Sequence, residues 1–184
     1  MNTFPPLQRA FAALLLFAAV STATAQQQRT SLQMLASTSE AVVVARAVET
    51  ESFWNDDQTA ILTRVVLEVE DQLDGQAAAR TEVIIPGGRI GNTIHEVSDM
   101  PHFEVNEEAV VFVERHRSGI FVVSGGLHGK LPVTRDAETG VRMVGGTTEL
   151  FEMESGTDDR PANDDQLIPL DDFKLRYKEL RGRR

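Results

Sequence analysis

"AILTRVVLEVEDQL", residues 60–73, is the stretch that most clearly predicts the fold. Apolar or β-branched side chains occupy every second position from Ile61 to Val69, and charged side chains occupy the alternate positions 64, 68 and 70. A period of two places successive side chains on opposite faces of a strand. The stretch therefore predicts a β-strand with one buried and one solvated face, ended by Asp74-Gly75.

Further strand signals lie on both sides of this stretch. "AVVVARAV", residues 41–48, is dominated by β-branched side chains and shows no helical period. "TEVIIP", residues 81–86, predicts a third strand that stops at Pro86, because proline cannot donate a ladder hydrogen bond. "ESFWNDDQT", residues 51–59, is expected to be a polar connection.

Two hairpins are predicted in the second half of the chain. Residues 109–115 and 120–124 would pair around a turn containing Ser118-Gly119. "GKLPVTRDAETGVRMVGG", residues 129–146, would form the second hairpin and turn at Glu138-Thr139-Gly140. The chain is therefore predicted to have about six or seven short strands, and it has no internal repeat.

A helix is predicted near each end of the sequence. Thr30 and Gln33 have the spacing of a capping box, which predicts a short helix over residues 31–38. Near the C-terminus, Phe173, Tyr177 and Leu180 form a helical stripe. Because strands do not alternate with helices, the fold class expected is all-β, with antiparallel pairing in a barrel or a sandwich. A small barrel is favoured, since closure removes exposed sheet edges.

The first 25 residues have the pattern of an export signal. Arg9 precedes an apolar run that is too short to span a bilayer, and Ala23-Thr24-Ala25 fits a cleavage site. An uncleaved anchor is the alternative. The expected organisation is a signal peptide at 1–25, a barrel domain at 26–150, an acidic flexible linker at 151–168 and a helix at 169–184. We expect a periplasmic or extracellular protein with no membrane span after cleavage.

Composition excludes several classes of function. The formal net charge is −10, and an acidic surface repels nucleic-acid phosphates. The sequence contains no cysteine, which excludes thiol nucleophiles, thiolate metal sites and a lipid-modified cysteine.

The stretch "IIPGGRIGNTIHEVSDMPHF", residues 84–103, resembles a ligand site because it combines glycines with two histidines. Gly87, Gly88 and Gly91 do not have the spacing of a dinucleotide fingerprint, and no helix pattern follows them. These glycines are expected to shape a turn. His95 and His102 are not arranged as a helical metal-binding pair. No cofactor or metal is therefore expected.

The long loop over residues 87–106 is the best candidate for a recognition surface, because loops of this length in compact domains are often functional. The candidate binding residues are Trp54, Arg89, His95, His102 and Phe103. Phe53-Trp54 could instead plug the end of the barrel, and that interpretation is favoured. Two alternatives stay open: an enzyme that uses His95, His102 and Glu104, and a carrier of a metal or small ligand that uses the two histidines.

The order of these elements also carries a resemblance. "SEAVVVARAVETESFW", "TAILTRVVLEVEDQLDGQ", "TEVIIPGGRIGN", "MPHFEVNEEAVVFVER" and "GIFVVSGGLHGKLPVTRD" resemble a group of uncharacterised exported bacterial proteins, over roughly residues 38–136. The element order is similar to netrin-like domains, the OB-type barrels of tissue metalloprotease inhibitors. Members of the bacterial group sometimes occur beside matrixin-type metalloproteases.

This resemblance implies an OB-like or netrin-like barrel that acts as a non-enzymatic exported binding module. The implied partner is a secreted protein or protease. Three residues depart from the pattern of the group: Ala45, Asp74 and Asn106. The animal inhibitors bind the protease metal through an N-terminal cysteine. Since this chain has no cysteine, no inhibitory residue is carried over.

Overall fold

The computed structural model describes residues 31–146 and 167–182. The predicted signal peptide and residues 151–166 of the predicted linker lie outside these residues. The elements in chain order are α1 (Leu32–Thr38), β1 (Ala41–Trp54), β2 (Ile61–Gly75), β3 (Arg80–Pro86), β4 (Gly88–Ile90), β5 (Thr93–His95), β6 (Glu108–Arg115), β7 (Phe121–Val123), a 3-10 turn (Gly126–Gly129), β8 (Lys130–Arg135), β9 (Arg142–Val144), β10 (Ile168–Pro169) and α2 (Leu170–Gly182).

Five strands close into a barrel, which confirms the predicted β-barrel with a helix near each end. The strand order is β1-β2-β3-β7-β6, and β1 pairs with β6 to complete the ring. Three further strands, β8, β9 and β10, extend the sheet from β6. Both predicted hairpins, β6–β7 and β8–β9, are present with antiparallel pairing.

The long strand β1 closes the barrel because it is bent. It pairs with β2 along its whole length and with β6 over its first six residues. Register shifts occur after Val42, Val44 and Ala47. Such bulges insert an unpaired residue and bend the strand, which allows one strand to serve two neighbours around a tight ring.

Strands β1 and β6 are buried on both faces, because the protein has two hydrophobic cores. Alternate residues of β1, such as Val43 and Ala45, point into the barrel with Val111 of β6. The residues between them, such as Val42, pack with Phe112 against the helices. This double burial explains why both strands read as nearly continuous apolar runs.

The ring is weakest where β3 meets β7, and this junction is called the seam. The strands run parallel there, whereas antiparallel pairing was predicted throughout, and they share the single pair Val83–Phe121. Gly87 donates its N–H to Ile61 O at 2.9 Å. In this antiparallel register the main-chain polar groups of residue 86 point away from β2 and toward β7. The next parallel pair would need an N–H at that position, and Pro86 has none.

The two helices cover the second core. Leu32 and Leu35 of α1 and Phe173 and Tyr177 of α2 are fully buried there, as the predicted stripe on α2 required. Tyr177 Oη donates to Asp74 Oδ2 at 3.1 Å, which joins α2 to the end of β2. Across residues 31–146 and 167–182, no helix is long and apolar enough to cross a membrane.

Four details differ from the sequence-based predictions. The N-cap of α1 is Ser31, which accepts from Met34 N at 3.1 Å, so the predicted cap at Thr30 was wrong. Strand β1 continues through the expected polar connection to Trp54. Three strands of two or three residues, β4, β5 and β10, were not predicted. Ile168, assigned to the linker, pairs with Val144.

An ion pair that docks α2 gives a pH-dependent prediction. Lys174 Nζ lies 2.7 Å from Asp71 Oδ2 and holds the pKa of that carboxyl below its ordinary value of 3.8. A depressed carboxyl pKa stabilises the fold above the unfolded pKa, and this contribution disappears as pH falls through the folded pKa. Because the side chain of Asp71 is 46% exposed, Asp71→Asn should lower the free energy of unfolding by less than about 1 kcal/mol at pH 7.

Urea denaturation of Asp71→Asn and wild type at pH 7 and near pH 2 measures this difference. The gap in free energy of unfolding should be present at pH 7 and absent at the lower pH. Asp57→Asn, in the exposed β1–β2 turn, is the control and should show no gap at either pH. A gap for Asp71→Asn that persists at low pH would contradict the assignment.

Candidate functional site

A groove opens at the end of the barrel where β3 ends, and we call it the mouth groove. Its volume is about 600 Å³. It is bounded by the ends of β1, β2 and β3, by the β4–β5 hairpin and by the segment 96–103. Four of the five predicted binding residues line it: Arg89, His95, His102 and Phe103.

The β4–β5 hairpin folds back onto the barrel because two glycines let it turn. Gly87 and Gly88 have φ of +101° and +141°, a region that residues with a side chain rarely adopt. A Cβ on Gly88 would lie 2.5 Å from Ser52 Oγ and would also collide with Thr63. These glycines therefore set the direction of the chain and the close approach of the hairpin to the barrel. Gly91, with φ of +57°, lies in the turn of the hairpin.

His95 fastens the hairpin to the barrel wall. Its Nδ1 accepts a hydrogen bond from the main-chain N–H of Ile61 at 3.0 Å. Gly87 O, the ladder partner expected for that N–H, instead accepts from Thr63 Oγ1 at 2.7 Å. Because Nδ1 is an acceptor, the neutral ring carries its proton on Nε2 and offers a donor outward. In this arrangement the ring has no free lone pair for a metal ion.

The indole of Trp54 packs against the imidazole of His95. The two rings are perpendicular, with centroids 5.4 Å apart. Trp54 is 37% exposed and Phe53 is 36% exposed, so the favoured interpretation of this pair as a buried plug was wrong. Two aliphatic residues that line the groove, Ile94 and Val97, are 46% and 45% exposed, and we call these two residues and Trp54 the apolar rim.

His102 and Phe103 have different environments although they are neighbours. His102 is exposed, and its main-chain oxygen accepts from Lys130 Nζ. Phe103 is 4% exposed and belongs to the barrel core, with Lys130 Nζ 4.7 Å from the ring centroid. Phe103 was predicted as a binding residue, and it is first a core residue that forms the floor of the groove.

The two histidines share the groove without forming a metal centre. Within the described ranges, no group of three or more His, Cys, Asp or Glu side chains could hold a metal ion. Glu104, the third residue of the enzyme hypothesis, does not line the groove. Arg89 has its main-chain N–H on Ser52 Oγ at 3.3 Å, and its guanidinium forms no ion pair with any residue in the described part of the chain.

The sequence did not predict the hydroxyl wall of the groove. Thr50, Ser52 and Thr63 line it, and the Ser52 and Thr63 hydroxyls are 3.1 Å apart. The bulge after Ala47 shifts the alternation of β1 by one residue, so that Thr50 and Ser52 face inward while Glu49 and Glu51 pair outside with Arg64. The small polar residues at the alternate positions 50 and 52 could have predicted this wall.

No protein-family model, curated protein sequence or solved structure matches this chain. The groove must therefore be interpreted from its own chemistry.

Proposed function

We propose that the protein is an exported, non-enzymatic binding module that holds a segment of a secreted partner protein in the mouth groove. The barrel is proposed to be of the OB-like type, in which one face and its adjoining loops form the recognition surface. The observation that carries the proposal is the mixed surface of the groove. It combines an exposed apolar rim with a hydroxyl wall and with the guanidinium of Arg89, which has no ion-pair partner among the described residues.

The rim has the composition of a protein-binding surface. Tryptophan is enriched among the residues that dominate binding energy, and Trp54 is held in place by His95 without being buried. Ile94 and Val97, which line the groove, add exposed aliphatic area. A partner segment could therefore bury apolar side chains on this rim.

The polar wall could satisfy the main chain of that segment. Ser52 and Thr63 offer hydroxyl groups, and Arg89 offers donors to carbonyl or carboxylate oxygens. A secreted protease is the first partner to test, and this choice rests on the resemblance to the bacterial group alone. The alternative, an enzyme or a metal or small-ligand carrier using His95 and His102, has less support because His95 already uses Nδ1 to hold the hairpin.

Site-specific photo-crosslinking in the producing cell tests this proposal. A benzophenone amino acid at Ile94 should yield a discrete crosslinked partner, and adding Trp54→Ala should reduce its yield roughly tenfold or more. Ile120 is the matched control, since it is 43% exposed but precedes β7, whose parallel pairing with β3 places it toward the other end of the barrel. Equal products from both positions, or no product from Ile94, would contradict the proposal.

A further inference from the structure

A second cavity lies at the seam, next to the mouth groove, and the two share Ile85, Pro86, Met100 and Pro101 in their linings. Its volume is about 320 Å³, and it opens where β3 and β7 separate beyond Val83–Phe121. Apolar side chains from both strands and from the segment line it: Ile84, Ile85, Pro86, Met100, Val122 and Val123.

One charged side chain borders this apolar cavity. Among the described residues that line it, Glu114 alone is ionisable. Glu114 Oε2 accepts a hydrogen bond from Ser124 Oγ at 2.9 Å, and Ser124 is 1% exposed. Ser124 Oγ lies 2.8 Å from Thr38 Oγ1 of α1. The carboxylate is therefore oriented by a buried serine hydroxyl that also contacts the hydroxyl of Thr38.

The second oxygen of this carboxylate has no partner in the part of the chain that the structure describes. Within residues 31–146 and 167–182, Glu114 forms no ion pair and no hydrogen bond other than the one from Ser124. Its neighbour Arg115 is paired with Glu40, with Nη2 3.0 Å from Oε1. An oriented anion beside an apolar surface is complementary to a cation that is carried on an apolar stem.

We propose that the seam cavity binds a lysine side chain of a partner protein. The four-carbon stem would lie along Ile84, Val122 and Met100, and the ammonium would donate to Glu114 Oε1. Lysine fits this chemistry because its charge is a compact point at the end of a flexible apolar stem. Ile84, Glu114 and Val122 line this cavity and not the mouth groove, so the test of the site does not depend on the proposed function.

Peptide titration of the isotope-labelled protein tests this site by NMR. The probe is acetyl-Ala-Leu-Lys-Leu-Ala-amide, and its matched control carries acetyllysine, which keeps the stem and removes the charge. The lysine peptide should shift the amide signals of Ile84 and Val122 saturably. The acetyllysine peptide should bind at least about tenfold more weakly, because it lacks the charge-assisted hydrogen bond.

Two variants complete the experiment. Glu114→Gln keeps an oxygen that can accept from Ser124, so the fold should be retained while affinity for the lysine peptide falls about tenfold or more. Glu138→Gln, in the β8–β9 turn, should bind like wild type. The proposal is overturned if both peptides bind wild type equally, if Glu114→Gln binds like wild type, or if no saturable shift occurs up to about 10 mM peptide. The comparison of the two peptides on wild type decides the matter even if the Glu114→Gln variant misfolds.

Discussion

Replacing Phe112 with alanine should lower the free energy of unfolding by about 3–5 kcal/mol, the usual cost of removing a buried aromatic side chain. Phe112 is fully buried in the core that β6 shares with the helices. Its ring lies 6.1 Å from that of Tyr177, so the truncation leaves a cavity directly under α2. Urea denaturation followed by circular dichroism measures the loss.

The matched control is Phe53→Ala. Phe53 is also on a barrel strand, but it is 36% exposed, and its truncation should cost less than about 1 kcal/mol. Similar losses for the two variants would mean that the second core does not contribute as the structure requires.

Phe103→Ala should also lower the free energy of unfolding by about 3–5 kcal/mol. The ring of Phe103 belongs to the barrel core although it borders the mouth groove. The same variant should enlarge the groove and weaken partner binding, since the floor on which the segment rests is removed. Equilibrium unfolding measures the first effect, and crosslinking yield from Ile94 measures the second at a temperature where the variant is folded.

His102→Ala is the control for the effect of Phe103→Ala on stability. The adjacent imidazole is exposed, and its removal should change the free energy of unfolding by no more than about 0.5 kcal/mol. A stable Phe103→Ala protein that nevertheless fails to crosslink would assign Phe103 to binding alone and would contradict its place in the core.

Local patterns in the sequence predicted the elements whose signals are local. The alternation over residues 61–69 identified β2, and the stripe through Phe173 and Tyr177 identified the face that α2 buries. Closure of the barrel was inferred only from the general argument that closure removes exposed sheet edges. The pairing of β1 with both β2 and β6 depends on three bulges, and nothing in the run "AVVVARAV" specifies where they occur.

The site was predictable only where its signals lie in the local sequence. The glycines at 87 and 88 indicated a turn, and the structure gives both a positive φ. The opposite environments of His102 and Phe103 depend on tertiary packing, as does the bond from Ile61 to His95 across 34 positions. The exposure of Trp54 follows from the extension of β1 to this residue, beyond the polar connection that the sequence predicted.

Hydrogen–deuterium exchange of the purified protein, measured alone and with the partner recovered from crosslinks at Ile94, tests the proposed binding groove most directly. Binding in the mouth groove should slow exchange over residues 50–54 and 86–103 and leave α2 and β9 unchanged, because amides are protected where opening is suppressed. Slower exchange on α2 or β9, with residues 86–103 unaffected, would show that the partner binds elsewhere and would contradict the proposed site.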